Sequence, residues 1–236
     1  MSGRLYLLPA PLAEGPVDDV LPAATLATLR RLSYFLVEDA KSTRAFLKAA
    51  GHPAPLQSLQ IVEIGHQPDP ARLADWLAPV LAGTDGAIVS EAGCPGVADP
   101  GAQIVARAHA LGITVQPLVG PSAILLALMA SGMDGQAFRF VGYLPQEPAA
   151  LAARLRELER AARGETQLWI ETPYRNDKMF EAVLAHCAAD TRLLLATDLT
   201  GGGEAVRTQR VAQWKAATPR PLLHKRPTVF GLLAAR

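Results

Sequence analysis

Four carboxylates stand at the ends of apolar runs, where acid–base chemistry is expected. Glu38 and Asp39 follow YFLV, Glu171 follows TQLWI, and Asp198 follows RLLLAT. A hydroxyl group that acts as a nucleophile must lose its proton to a base such as Asp, Glu or His. These four residues are therefore the candidate catalytic groups. For Glu38 and Asp39, a structural role is the alternative: capping a helix that begins near Ser42, or pairing with Arg44.

The segment SEAGCPGVADPG (90–101) packs three glycines and two prolines into a loop directly after the apolar run GAIVS. Glycine lets a backbone approach a ligand closely, and proline stiffens the loop. The spacing is neither GxGxxG nor a Walker loop, so it does not indicate phosphate binding. Asp99 before Pro100 predicts a helix cap. Cys94 has no basic neighbour in the sequence, which favours a packing role over a reactive thiol.

Arg175, beside Tyr174, is suited to binding a phosphate or carboxylate, and a salt bridge to Glu171 or Asp177 is the alternative. The five histidines, His66 and His186 among them, show no metal-ligand spacing, so no metal site is predicted. Residues 1–120 hold 8 Lys and Arg against 11 Asp and Glu, whereas residues 121–236 hold 15 against 11. The second half, with its excess of positive charge, is therefore better suited to binding an anionic substrate.

Alternating strands and helices position these residues. Apolar runs at 5–8, 34–37, 61–64, 86–90 and 113–118 are separated by helical patterns, the first of them from about Asp18 to Leu32. This alternation of strands and helices predicts βαβ units and a parallel sheet, in which ligands bind beyond the carboxyl ends of the strands. A second α/β unit with a more mixed sheet follows. We expect domains at 1–119 and 120–236 that share a cleft. Ser122 is expected to cap the helix AILLALMAS, which is apolar almost all round and therefore predicted to be buried.

The composition indicates a folded protein with a substantial core, because 50% of the 236 residues are hydrophobic. The longest apolar stretch contains Gly, Pro and Ser and falls short of the roughly 20 residues needed to cross a bilayer. Neither a signal peptide nor a membrane partner is therefore predicted. Cys94 and Cys187 are the only cysteines, which is typical of a reduced protein in the cytoplasm.

Seven motifs in order resemble a known family. They are LYLLPAP, EDAKSTR, SEAGCPGVADPG, GPSA, FVGYLP, ETPYRN and DLTGGGE. The set is similar to the S-adenosylmethionine-dependent methyltransferases of the tetrapyrrole-methylase fold, and within them to the branch that methylates ribose 2′-hydroxyls of small-subunit ribosomal RNA. The resemblance implies two α/β domains with the cofactor in the cleft between them, usually in a homodimer. It also implies a cofactor site formed by Pro11, Ala92, Gly93, Cys94, Val97, Ser122, Ala123 and Tyr174.

The same resemblance implies that Arg44 and Arg175 contact the substrate, ribosomal RNA or the small ribosomal subunit. Two motifs depart from the family pattern: APLAE stands where TPIGN is usual, and DLTG where ELTK is usual. These departures leave two alternatives open. One is methylation of a tetrapyrrole or another small acceptor, and the other is a catalytically silent protein that binds the cofactor.

Overall fold

The computed structural model describes residues 2–235, which divide into two compact units between Ser122 and Ala123. The N-terminal unit contains five strands: β1 (Arg4–Leu8), β2 (Tyr34–Val37), β3 (Gln60–Glu63), β4 (Gly86–Val89) and β5 (Thr114–Pro117). They form one sheet in the order β3-β2-β4-β1-β5, and every pairing is parallel. The carboxyl ends of all five strands therefore lie along one edge.

Four helices connect these strands: α1 (Ala23–Arg31), α2 (Ala40–Ala49), α3 (Leu73–Leu81) and α4 (Ala102–Ala110). Successive strand residues point to opposite faces, so a fully buried strand contributes to two separate cores. In β2, Phe35 and Val37 pack in one cluster with residues of α1 and α2. Tyr34 and Leu36 pack in the other cluster with residues of α3 and α4. Helices on both faces explain why these strands are apolar throughout.

The C-terminal unit contains β6 (Phe138–Tyr143), β7 (Thr166–Ile170), β8 (Arg192–Thr197), β9 (Ala205–Arg210) and β10 (Thr228–Leu233). Their order is β6-β7-β10-β8-β9, with β6 and β7 parallel and the other pairings antiparallel. The helices are α5 (Ala123–Ser131), α6 (Pro148–Ala161), α7 (Asn176–His186) and α8 (Val211–Ala216). The predicted α/β class, with a parallel first sheet and a mixed second sheet, is confirmed.

Two expectations about helices are wrong. The helical pattern from Asp18 to Leu32 breaks into a short 3-10 turn and then α1, which begins only after Pro22, because proline is favoured next to a helix start and disfavoured inside one. Helix α5 is not buried all round. Ile124, Ala127 and Leu128 are buried, while Leu125 and Met129 are 51% and 79% exposed, because only one side of the helix packs on the sheet.

Within residues 2–235, no helix combines the length and the apolar character that crossing a membrane requires.

Candidate functional site

The glycine-rich loop 90–101 follows β4 and is closed by the carboxylate of Asp99. Its Oδ2 accepts a hydrogen bond from Ser90 Oγ at 2.6 Å. Its Oδ1 accepts from the backbone N–H groups of Gly96 and Gly101 at 2.9 and 2.8 Å. The prediction that Asp99 caps the next helix is wrong, because α4 begins at Ala102 and the carboxylate is used inside the loop. Asp99 therefore fixes the shape of the loop.

Gly93 joins this loop to the segment after β1. Its N–H and its carbonyl each form a 3.0 Å hydrogen bond with the backbone of Ala10. Its φ of +75° lies in the left-handed region, and a Cβ there would stand 3.3 Å from Leu12 Cδ2. Only glycine adopts this conformation without strain. Gly93 thus holds two loops together, and its predicted contact with the cofactor stays a prediction.

Cys94 is a packing residue in this structure. Its Sγ donates to the carbonyl of Pro121 at 3.4 Å, and burial raises the pKa of the thiol. A protonated thiol is a poor nucleophile, which supports the interpretation drawn from the sequence. The neighbouring Val97 is 49% exposed.

An open cavity of about 480 Å³ lies at the carboxyl edge of the first sheet. Its wall is formed by the segment after β1, by α2, and by residues 90–92, and it includes the predicted cofactor residues Pro11 and Ala92. The volume is within the range of about 300–1,000 Å³ that is usual for small-molecule sites. The charged residues of the lining are Glu14 and Glu91, and no Lys or Arg is among them. Such a lining favours a cationic ligand.

Three titratable side chains meet beside this cavity. Glu38, His66 and Glu91 follow β2, β3 and β4, which are neighbours in the sheet. Glu38 Oε1 and His66 Nδ1 are hydrogen-bonded, and this bond is the main cause that raises the pKa of His66. Burial raises the pKa of Glu91, and the charge of Glu38 adds to the shift. Glu91 also lines the cavity, so the pair Glu38–His66 lies next to it.

Asp39 has the capping role that the sequence left open. Its Oδ1 accepts from the N–H of Ser42 at 2.7 Å at the start of α2, and this bond lowers the pKa of Asp39. Arg44 is exposed on the same helix and donates to the carbonyl of Ala40 at 3.4 Å. Within residues 2–235, no ion pair joins Arg44 to either carboxylate.

In the C-terminal unit, Arg175 forms a salt bridge with Glu171, which is one of the two roles that the sequence left open for Arg175. Arg175 Nη2 lies 3.3 Å from Glu171 Oε2, and the Glu171 side chain is 1% exposed. Its Oε1 accepts from the N–H of Thr172 at 2.7 Å, whereas Oε2 lacks a hydrogen-bond partner in the described part of the chain. Tyr174 is 69% exposed and meets His224 edge-on, with ring centroids 6.2 Å apart.

Asp198 begins the turn between β8 and β9. Its φ is +48°, and its Oδ2 accepts from Arg226 Nε at 2.6 Å. Arg226 also donates to the carbonyl of Gly203 at the other end of the turn. The backbone carbonyl of Arg226 accepts from Asn176 Nδ2 at 2.6 Å. The carboxylate of Asp198 therefore belongs to a network that holds this turn.

Three residues of these sites were missed by the sequence analysis: His66, Glu91 and Arg226. His66 and Glu91 each come within three residues of a strand end. That position would have found them, because the carboxyl ends of parallel strands share an edge. Arg226 has no comparable signal, since its partner Asp198 is 28 residues away. Ser122 and Ala123 stand at the start of α5, which begins at Ala123.

The chain is similar to known proteins over most of its length. Residues 15–214 match the family model for tetrapyrrole (corrin/porphyrin) methylases. A protein of Micromonospora olivasterospora named ribosomal RNA small subunit methyltransferase I is 35% identical over 86% of this chain and 61% of its own length. A protein of the same name from Pseudomonas aeruginosa is 29% identical over 90% of this chain and 72% of its own length. The chain thus spans about three fifths to three quarters of these relatives.

Solved structures share the fold. The methyltransferase CobJ aligns with a TM-score of 0.66 at 19% identity, over 98% of this chain and 94% of CobJ. The uroporphyrin-III-C-methyltransferase of Thermus thermophilus aligns with a TM-score of 0.57 at 20% identity, over 99% and 93% of the two chains. The fold is therefore that of α/β methyltransferases built from two units. Because the family model covers residues 15–214, this chain belongs to the tetrapyrrole methylases. The methyl donor of this family is S-adenosylmethionine.

Proposed function

We propose that this protein transfers a methyl group from S-adenosylmethionine to a ribose 2′-hydroxyl of small-subunit ribosomal RNA. The observation that carries the proposal is the acid-lined cavity with a histidine–carboxylate pair beside it. Such a site suits a cationic methyl donor and a hydroxyl that must be deprotonated. The choice of RNA as acceptor is supported by the names of the relatives from M. olivasterospora and P. aeruginosa.

The cavity of the N-terminal unit fits the cofactor. S-adenosylmethionine, when bound, supplies a methyl group on a positively charged sulfonium. Glu14 and Glu91 lower the energy of a cation in the cavity, and the ring of Phe46 adds an apolar wall. A lining without Lys or Arg would be unsuited to a phosphate-bearing cofactor. The residues proposed to contact the cofactor are Pro11, Ala92, Gly93, Cys94, Val97, Ser122, Ala123 and Tyr174.

The pair Glu38–His66 is proposed to accept the proton of the attacking hydroxyl. The carboxylate of Glu38 binds Nδ1 of His66, which leaves Nε2 as the acceptor atom. S-adenosylmethionine, when bound, would supply the methyl group to the ribose oxygen, and Nε2 of His66 would take the hydroxyl proton. The carboxylates of Asp39, Glu171 and Asp198 are engaged by a helix cap, by Arg175 and by Arg226. We therefore assign them supporting roles in holding the catalytic loops.

Arg44 and Arg175 are proposed to contact RNA phosphates. Arg44 is exposed, and Arg175 is one of the cations that give the second half of the chain its positive balance. Arginine binds phosphate with two parallel hydrogen bonds, which fixes the orientation of a strand.

The protein is further proposed to act in the cytoplasm as a homodimer. Leu125 and Met129 are one helical turn apart on the exposed side of α5, which gives a second copy an apolar contact. Sedimentation of the protein and of Met129→Lys tests this point. A dimer that dissociates more readily in the variant is expected, and a monomeric parent protein would refute it.

The test of function is tritiated methyl transfer to small ribosomal subunits from a strain that lacks this enzyme. We expect label in alkali-resistant dinucleotides, because a methylated 2′-hydroxyl cannot attack the neighbouring phosphate. His66→Gln should slow the transfer by about 10²–10⁴-fold while cofactor binding, measured by calorimetry, is retained. Label in alkali-sensitive nucleotides would disprove ribose methylation. Transfer to a small acceptor with unlabelled RNA would make that acceptor the substrate, and no transfer to either would leave a cofactor-binding protein.

A further inference from the structure

A second cavity lies wholly within the C-terminal unit. Its volume is about 400 Å³, and it is bounded by β8, β9, α8 and the segment 217–226. The catalytic pair Glu38–His66 and the acid-lined cavity belong to the other unit. The second cavity therefore shares no lining residue with the first.

The charge of this cavity is opposite to that of the first. Arg207, Arg220 and Arg226 line it, and no Asp or Glu is among its lining residues. Arg226 is held by Asp198. Arg220 donates to the carbonyl of Trp214 at 3.1 Å, and its ion-pair distance to Glu181 is 3.7 Å with both side chains half exposed. An exposed pair at this distance contributes little to stability, so Arg220 can exchange Glu181 for a ligand while it keeps its bond to Trp214 and its contact with the Phe180 ring, 5.7 Å from the centroid.

Arg207 is the arginine of this lining that no carboxylate of the described residues holds; with the Gln209 amide in its hydrogen-bonding orientation, Gln209 Oε1 accepts from Arg207 Nη2 and Nε at 2.9 and 3.2 Å. Arg207 is exposed, and its guanidinium lies 5.4 Å from the ring centroid of Trp214. Throughout residues 2–235, no carboxylate lies within ion-pair distance of Arg207. Arg207 lies over the indole ring of Trp214, and Arg220 donates to the backbone carbonyl of the same residue, so both arginines are held at one residue of the lining.

The rest of the lining is mainly apolar. Leu195, Trp214 and Leu223 are buried, and Leu222 is 78% exposed. A free phosphate would bind the arginines but would leave this apolar surface without a contact. A nucleotide needs both, because its phosphate is anionic and its base has an apolar face that packs on side chains. The volume is also within the usual range for a small-molecule site.

We propose that the cavity lined by Arg207, Arg220 and Leu222 is a subsite for one nucleotide of single-stranded RNA. Arg207 and Arg220 hold the phosphate, and the base packs against Leu222. This inference rests on the proposed function, because it supplies the RNA-binding part of the same reaction.

The test is binding of a fluorescent single-stranded RNA decamer to the full chain, measured by anisotropy across a salt series. A double variant, Arg207→Ala with Arg220→Ala, is expected to bind at least about tenfold more weakly, since each lost bond was charge-assisted. Loss of one phosphate contact should also reduce the slope of log affinity against log salt by about 0.7. The matched control, Arg160→Ala with Arg163→Ala, removes two cations of the same unit that do not line the cavity and should leave both quantities nearly unchanged.

Leu222→Ala tests the base contact without removing charge. It should weaken binding of the decamer by a few fold and leave binding of an abasic decamer unaltered. Equal effects of the two arginine double variants, or an equal effect of Leu222→Ala on both decamers, would overturn the proposal. These measurements need no methyl transfer, so a failure of the proposed reaction would be seen separately in the tritium assay. Thermal melting confirms that each variant is folded.

Discussion

At the scale of single residues, the pairing of Glu38 with His66 sets the chemistry of the N-terminal site. Histidine accepts a proton only in its neutral form, so the protonation of His66 controls a reaction that uses it as a base. The hydrogen bond that His66 donates to Glu38 and the nearby charges of Glu91 and Asp39 all raise the pKa of His66 above its usual 6.5. These neighbours therefore move the working range of the base toward higher pH.

The first prediction is that the rate of methyl transfer rises with pH through the raised pKa of His66. His66 is protonated and inactive below that pKa, and neutral and active above it. Glu38→Gln removes the main cause of the shift, so the midpoint of the rise should move to lower pH. The maximum rate should fall by about 10²–10⁴-fold if the base is lost altogether, as in His66→Gln. Initial rates from pH 5.5 to 9 measure both effects.

Glu63→Gln is a suitable control for this pH profile. Glu63 Oε2 accepts from the N–H of Ala40, so it is a carboxylate at the same edge of the sheet without a bond to His66. The control should keep the midpoint of the parent protein. A midpoint that Glu38→Gln leaves in place would show that His66 is not the titrating base.

The second prediction concerns Gly93. Gly93→Val places a branched side chain at a φ of +75°, next to Leu12, and should lower the free energy of unfolding by about 1–3 kcal/mol. It should also weaken cofactor binding, because the bridge to Ala10 joins the two loops that line the cavity. Calorimetric titration with S-adenosylhomocysteine measures the binding.

Cys94→Thr is the matched control in the same loop. A threonine hydroxyl can donate to the carbonyl of Pro121 in place of the thiol, so binding and turnover should both stay near those of the parent protein. Loss of turnover in this variant with an intact fold would show that the thiol has a chemical role.

At the scale of elements, α2 connects fold and site because its N-cap residue, Asp39, directly follows Glu38. The third prediction is that Asp39→Ala lowers the free energy of unfolding by about 0.5–2 kcal/mol through loss of the N-cap. Asp39→Ser keeps a capping oxygen and should retain most of that stability. Denaturant titration measures the difference. If both variants lose turnover equally while Asp39→Ser remains stable, Asp39 is a catalytic group and not only a cap.

Most of the elements were predictable from the sequence because strands β2 and β4 and residues 5–8 of β1 are apolar and are separated by glycine, proline and polar residues. The error in α5 shows the limit of that signal. An apolar helix is expected to be buried on all sides, yet Leu125 and Met129 are exposed. The sequence reports how hydrophobic a helix is, and not how many partners surround it.

The candidate site was predictable only in part. Glu38 and the loop 90–101 were found because a strand end and a run of glycines are visible in the sequence. The role of Asp99 was not, since its three hydrogen bonds depend on the folded path of the loop. His66 lies 28 residues from its partner, and only the order of the strands brings the two together.

At the scale of the whole molecule, the two units carry cavities of opposite charge. Glu14 and Glu91 line the first, and three arginines line the second. A cationic cofactor and an anionic nucleic acid are thereby each disfavoured in the other's site. The contrast between the halves, already visible in the counts of charged residues, is thus concentrated at the two cavities.

The fourth prediction is that the cofactor stabilises the folded chain. A hundredfold excess of S-adenosylmethionine over its dissociation constant should add about 2.7 kcal/mol. For a protein of this size, that corresponds to a rise in melting temperature of about 5–10 °C. Differential scanning measures the shift, and Glu91→Gln should reduce it by weakening the attraction for the cation. A melting temperature that neither S-adenosylmethionine nor S-adenosylhomocysteine changes would contradict the assignment of the cofactor.

An inner strand of the first sheet, β1, also decides when the protein can fold during its synthesis. Among the described strands, β1 pairs with β4 and β5 alone. Leu5 therefore cannot pair with Gly86 or Val115 until those residues have been synthesised. At roughly 5–20 residues per second, the ribosome needs on the order of 5–20 seconds to make the chain between them. Until β4 has been made, the apolar residues of β1 have no neighbouring strand.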